Sequence, residues 1–429
     1  MKISTLIAGG GLAGLACARE LHARGRSFML VEREADFGGL CRSVACSGYT
    51  FDYTGHFLHF KDPFVRDRVL ALAPGLFKIR TRRAAIFSHG SYTEYPYQEN
   101  SAGLPSAVAM ENVTGYLESR LKASGDPGKA EDFRSWCLAN FGPGISRNFL
   151  FPYNEKLWKT PLHKLTRRWM GRFVPRPSVL KVVEGALNAR PSRSGYNASF
   201  YYPDRGGISV LPQLIARDLP GLFRGVRIDR VDLERRRAWL STGLVVEYDR
   251  LVSSLPLKTL IRLCVSAPPV LKRAASRLKS VSVYNINLGL KATQPVPYSW
   301  VYFPEKEFRF HRAGSVSACV PTVAPRSGST IYLEYSYKGG IPDARKLGRE
   351  AVRDLMRIGW IRSEREIAVR ADLDLPSAYV IYDEFREEAV GTILSHLARK
   401  GVCPVGRYGK WEYGTMESAL VQGWEAGSL

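Results

Sequence analysis

Residues 3–34 read ISTLIAGGGLAGLACARELHARGRSFMLVERE: a strand, a tight turn, a helix and a second strand, in that order. Residues 3–8 are a short apolar run of the kind buried on both faces of a parallel sheet. Gly9, Gly11 and Gly14 then complete G-x-G-x-x-G. The first glycine permits the turn, the second clears the backbone for a pyrophosphate, and the third lets helix and strand pack closely. The helix start offers free N–H groups and the positive end of its dipole to the phosphates. The second strand ends in Glu32, 18 residues beyond Gly14. A carboxylate there accepts hydrogen bonds from ribose hydroxyls and repels a 2′-phosphate.

The stretch READFGGLCRSV follows at 33–44, with a second glycine pair, Gly38 and Gly39, and then Arg42. A backbone free of side chains beside a guanidinium suits the ribityl and pyrophosphate part of a flavin dinucleotide. FAD is therefore expected in preference to NAD.

A chain of 429 residues is too long for one compact core, so a discontinuous multi-domain enzyme is expected. Apolar residues make up 45% and aromatics 11%, which excludes the disordered class. The formal charge of +22 calls for an anionic partner. The basic residues are scattered or in short clusters such as RTRR (80–83), which argues against a nucleic-acid arm. Peripheral association with an anionic membrane and a homo-oligomer are kept as alternatives. Seven widely spaced cysteines without a CxxC pair point to a reducing, cytoplasmic setting and to no structural metal site. No run of about 18 uncharged apolar residues marks a membrane span.

Residues 221–256 alternate like strands returning to the first sheet, 100–200 are helix-rich, and 280–340 alternate again. The expected fold is α/β: a Rossmann-like FAD-binding domain with an inserted helical domain and an antiparallel sheet domain. Its expected limits are 1–90, 205–275 and 370–429 for the FAD domain, 91–204 for the helices and 276–369 for the sheet.

Five further stretches carry a resemblance. They are FDYTGHFLHF (51–60), YTEYPYQEN (92–100), the aromatic run NFLFPYNEKLWKTPLHKLTRRW (148–169), SWVYFPEKEFRFHRAG (299–314) and GRYGKWEYGTMESAL (406–420). In this order they resemble the flavin-dependent UDP-galactopyranose mutases, within the FAD-binding amine-oxidase-like superfamily. The resemblance implies a cofactor site of Gly9, Gly11, Gly14, Glu32, Gly39, Arg42, Gly406 and Arg407. It implies candidate catalytic roles for His56, Arg312 and Arg407. It implies that Tyr95, Tyr97 and Gln98 lie under a uracil, with Tyr153, Asn154, Trp158, Trp300 and Tyr302 around uridine and sugar. Arg312, Arg172 and Tyr413 would meet the diphosphate, since an arginine fork matches two phosphate oxygens. Asn154 stands out among aromatic neighbours, because a buried amide needs partners that a base or ribose can provide. His59 is read as structural.

Three positions depart from the family pattern. Phe173 stands where an arginine is expected, with Arg172 one place early and Arg167 or Arg168 as substitutes. Cys319 replaces a phosphate-binding tyrosine, and Thr415 an acidic residue of bacterial members. The implied reaction interconverts pyranose and furanose forms of a UDP-sugar through a bond between flavin N5 and the anomeric carbon, for glycan biosynthesis. The flavin must be reduced, with NAD(P)H as a candidate reductant. The alternative is an FAD-dependent oxidoreductase of the amine oxidase or protoporphyrinogen oxidase class, which would share both glycine motifs and SSLP (253–256).

Overall fold

The computed structural model describes residues 1–121, 131–170, 174, 176–187, 198–292 and 296–429. The first strand, Lys2–Ala8, lies in the middle of a seven-stranded sheet. It pairs in parallel with Phe28–Glu32 on one side and with Val245–Ser253 on the other, in register Ala8 with Val31 and with Ser253. Leu222–Arg224 extends the sheet beyond Phe28–Glu32. Ile228–Asp232, Arg237–Leu240 and Val402–Pro404 complete it on the far side.

Successive side chains of a strand point to opposite faces. Leu6, Ala8, Met29 and Val31 therefore pack with the helices Leu257–Leu263, Pro269–Arg277 and Arg386–Arg399. Ile7, Phe28 and Leu30 pack with the helices Leu12–Ala23 and Met416–Ser428 on the other face. Both faces are covered, which is why these strands carry continuous apolar runs.

A second seven-stranded sheet runs in the order Ile367–Val380, Ser280–Leu290, Ser329–Tyr337, Arg312–Gly314, Trp300–Tyr302, Ala84–Ser88 and Ser91–Glu94. It is antiparallel apart from one parallel pair, Trp300–Tyr302 with Ala84–Ser88. Two expected limits move as a result. Ala84–Ser88 belongs to the second sheet, and the limit at 369/370 falls inside one continuous strand, Ile367–Val380. Segment order along the chain suggested the other assignment. Membership of a sheet is decided by hydrogen-bonded partners, and here they lie far away in sequence.

The helical insertion holds Ser106–Leu121, Phe133–Ile145, Phe151–Trp158 and Val179–Ala186. Its second helix starts on Asp132, whose carboxylate accepts from the Ser135 amide at 3.0 Å. Between Phe133–Ile145 and Phe151–Trp158 the chain makes one wide π turn, Ser146–Leu150. Such turns are frequent at functional sites.

Candidate active site

Gly9, Glu32, Ser254 and Gly406 all lie at or just beyond the carboxyl ends of strands of the first sheet, where open α/β sheets bind ligands. Glu32 is buried, and its two oxygens accept from the Gly10 amide at 2.7 Å and the Glu34 amide at 2.9 Å. Each carboxylate oxygen has a further lone pair for a ribose hydroxyl. A Cβ on Gly14 would stand 2.0 Å from the Gly9 carbonyl oxygen, so the helix can meet the strand only without one. A Cβ on Gly11 would meet nothing within 4 Å. That space lies at the start of the helix Leu12–Ala23, where a pyrophosphate belongs. Gly38 and Gly39 take positive φ, and Gly39 would bring a Cβ to 3.3 Å from the Gly11 Cα. Arg42 is tied to the Gly39 carbonyl at 2.9 Å and lies over the Tyr53 ring. Gly406 donates to Gln422 Oε1 at 2.8 Å. These residues fit a flavin dinucleotide.

Beside this crevice the second sheet and the helical insertion build a chamber of rings and guanidinium groups. Tyr302 stacks on Tyr95 at 5.3 Å between centroids and meets Tyr153 edge-on at 5.1 Å. Arg312 lies 3.8 Å from the centre of the Trp300 ring and donates to the Tyr379 hydroxyl at 3.2 Å. Tyr413 lies parallel to Tyr379, and the Arg407 guanidinium is 5.9 Å from one ring and 5.6 Å from the other. Arg407 is fixed by the carbonyls of Ala378 at 3.1 Å and Gly414 at 2.7 Å. His56 lies in the loop between the strand Tyr49–Asp52 and the helix Pro63–Leu70, where a Cβ on Gly55 would come within 2.8 Å of the Trp300 ring. His56 Nδ1, Trp300 Nε1 and Arg312 Nε are buried without a hydrogen-bond partner in the chain. Buried donors of this kind call for a ligand or water.

Burial and the charge of Arg407 pull the His56 imidazole down to about 4, so it is neutral at pH 7. Burial pushes the Tyr413 phenol up to about 12, which keeps it a hydrogen-bond donor. Beneath Arg312 lies Glu334, fully buried and bonded to its guanidinium, with His311 Nε2 3.5 Å from the same carboxylate oxygen. Burial pushes that carboxyl up, but Arg312 and His311 outweigh it and hold it at about 2.

Several expected ligand contacts turn inward. Tyr97 is fully buried, stacked on Phe149 at 4.7 Å, with its hydroxyl accepting from Asn112. Gln98 is buried beside it. Trp158 packs against Trp169 at 4.9 Å and is 1% exposed. Asn154 does not need a base or ribose. Its amide donates to the Leu150 carbonyl one turn back at 2.8 Å and accepts from Trp158 Nε1 at 3.1 Å. Asn154 thus belongs to the inner wall of the helical insertion, while Phe149 and Trp158 also touch chamber rings edge-on, Tyr302 at 6.3 Å and Tyr379 at 6.0 Å, beside Tyr153.

The departures also find places. Arg172 and Phe173 lie outside the described residues. Arg168 is exposed and pairs with Glu387 at 3.3 Å, so it does not replace a chamber arginine. Thr415 caps the helix Met416–Ser428, its hydroxyl accepting from the Ser418 amide at 3.1 Å. Threonine and aspartate are both among the residues favoured at such a cap. Cys319 donates to the Val316 carbonyl, and burial pushes its thiol up to about 12. His59 bonds the Ser199 carbonyl at 2.9 Å, as a structural histidine should.

Sequence reasoning missed Glu334, His311, Tyr379 and Arg82. Arg82, read only as part of a short basic cluster, lies 4.8 Å from the Trp300 ring and 3.3 Å from the Tyr302 hydroxyl. The available signal was its place at the entry of Ala84–Ser88, the strand that pairs with Trp300–Tyr302.

The family model of flavin containing amine oxidoreductases matches residues 12–297. The chain belongs to that family. A flavin cofactor and a flavin-dependent enzyme fold go with this amine oxidoreductase membership. The crystal structure of reduced UDP-galactopyranose mutase superposes with a TM-score of 0.93 at 25% identity, covering 99% of this chain and 95% of that one. A putative protoporphyrinogen oxidase from Exiguobacterium sp. 255-15 gives a TM-score of 0.75 at 13% identity, covering 99% and 98%. Cyclohexylamine oxidase from Brevibacterium oxydans IH-35A gives 0.68 at 13%, again covering 99% and 98%. These two likenesses show the fold alone. The resemblance to the mutases thus extends to the arrangement of the whole chain. No described helix is long and apolar enough to cross a membrane.

Proposed function

We propose that the chain binds FAD and interconverts pyranose and furanose forms of a UDP-sugar, with UDP-galactopyranose as the first candidate. The observation that carries this reading is the placement of Arg312 and Arg407 among Tyr95, Tyr153, Trp300, Tyr302, Tyr379 and Tyr413. Guanidinium and phenol donors on a ring-lined wall suit a diphosphate carrying a flat base. The same cations disfavour a protonated amine, the substrate class of the amine oxidase alternative. The likeness in overall fold to reduced UDP-galactopyranose mutase supports the reading.

Reduced FAD supplies the nucleophile, which explains a chamber built for binding and charge. Arg312 and Tyr413 hold the diphosphate as charge builds on the leaving oxygen. His56, kept neutral, offers a hydrogen bond to the flavin edge. NAD(P)H as reductant and a homo-oligomeric state belong to the same proposal.

Incubation of dithionite-reduced protein with UDP-galactopyranose should yield a new UDP-sugar peak that the oxidised protein does not make. Oxygen-consuming turnover of an amine instead would overturn the proposal. Arg312→Lys is a cleaner probe than alanine, because it leaves a cation beside Glu334 while removing the fork and the stack on Trp300. It should weaken UDP-galactopyranose binding by about tenfold or more, roughly 1.4 kcal/mol, with flavin content unchanged. Isothermal titration of the flavin-loaded protein measures the first, and flavin absorbance per mole of protein the second.

A further inference from the structure

We infer that Lys156 is a positioning residue that clamps the turn between Trp300–Tyr302 and Arg312–Gly314 onto the helix Phe151–Trp158, and so sets the shape of the ligand chamber. The inference rests on the reading of that chamber as the UDP-sugar site. Lys156 is buried, and its Nζ donates to the carbonyls of Phe303 at 2.5 Å, Glu305 at 2.6 Å and Phe310 at 3.2 Å. An ammonium has three N–H donors, and here all three end on one turn.

The position of the clamp gives it a role beyond packing. Phe303 directly follows Tyr302, and Phe310 stands two residues before Arg312. On the helix, Lys156 lies between Tyr153 and Trp158. Tyr153 reaches across to Tyr302 at 5.1 Å and to His311 at 6.2 Å. One side chain thus ties the ring and guanidinium of one wall to the ring of the other. A position that only needed filling would take Leu or Met, without the cost of burying an ammonium.

The clamp is also open to titration. Burial pulls the ammonium down to about 7, while Glu305 and Glu307 on the turn and Asp354 on the helix Ala344–Arg357 support its charge. Lys159 on its own helix opposes it. His311, at the end of the turn just before Arg312–Gly314, is held at about 4 and stays neutral in this range. A neutral amine keeps two donors and releases one carbonyl.

The test compares flavin-loaded wild type, Lys156→Met and Lys156→Arg. The first readout, without ligand, is amide hydrogen exchange across 303–310, corrected for intrinsic rates. Lys156→Met should exchange there on the order of tenfold faster, as the loss of about one to two net hydrogen bonds predicts. The second is binding of UDP-galactopyranose from about pH 6 to about pH 8.5, a range in which its diphosphodiester and uracil do not titrate. Wild-type affinity should fall several-fold as pH rises. Lys156→Met should bind weakly with no such fall, and Lys156→Arg, charged throughout, should show a flat profile. Unchanged exchange in Lys156→Met, or the same pH slope in all three proteins, would overturn the inference. Should Lys156→Met not be recovered with flavin, the wild-type and Lys156→Arg slopes decide. If wild type binds no UDP-sugar at any pH, the ligand reading fails, and the inference then stands or falls on the exchange of 303–310.

Discussion

Gly11→Val should purify as a folded protein stripped of its flavin. The residue takes φ −73° and ψ 177°, extended backbone open to any side chain. Its added atoms would meet nothing within 4 Å of the Cβ position in the chain. The cost to folding is therefore small, on the order of 1 kcal/mol for a poorer helix cap. The same atoms would occupy the path of the pyrophosphate, and flavin affinity should fall by about 100-fold or more, roughly 2.7 kcal/mol. Gly14→Ala makes the opposite case. Its Cβ would stand 2.0 Å from the Gly9 carbonyl, so the damage should appear first in melting temperature and yield. Flavin absorbance per mole of protein, read beside a thermal melt, separates the two. Full flavin content in Gly11→Val would show that the phosphates take another route.

Glu334→Ala should be the most destabilising single change in the chamber. It would leave the Arg312 guanidinium buried without its carboxylate and His311 without the oxygen it faces. Removing one partner of a buried pair costs about 3–5 kcal/mol. Urea unfolding at pH 7 measures it, and a loss below about 1 kcal/mol would mean that the pair contributes little. The acid limb gives an independent check. The folded Glu334 carboxyl sits at about 2, below its ordinary value, so its stabilisation is present above that ordinary value and is lost as pH falls through about 2. His311 acts in the same direction. Its imidazole is held at about 4, so the unfolded chain binds its proton first as pH falls from 6.5. The wild type should therefore lose stability as pH falls through this range, and the Glu334 share of that loss should be absent from Glu334→Ala.

The cofactor half was legible in the residues because its determinants are local. Strand, glycine turn, helix and Glu32 lie within one short segment, and Gly14 answers a steric need set by Gly9 in that same segment. The helix Met416–Ser428 also begins on a local device, the Thr415 cap, but the sequence reading had marked Thr415 only as a departure. The chamber was only half legible. Its residues were recognised by chemical type, and Arg312, Trp300, Tyr302, Tyr95, Tyr153 and Tyr413 do converge.

By itself, then, the sequence determined a flavin-binding α/β core and the inventory of rings and guanidinium groups beside it. Only the tertiary structure decided which of them face the chamber. Tyr97, Asn154 and Trp158 find partners inside the helical insertion, while Glu334 and Tyr379 come into contact with Arg312. In a strand, a shift of one residue in register exchanges the inward and outward faces. That register is set by pairings such as Arg312 with Glu334, or Trp300 with Ala84, between segments that no local pattern connects.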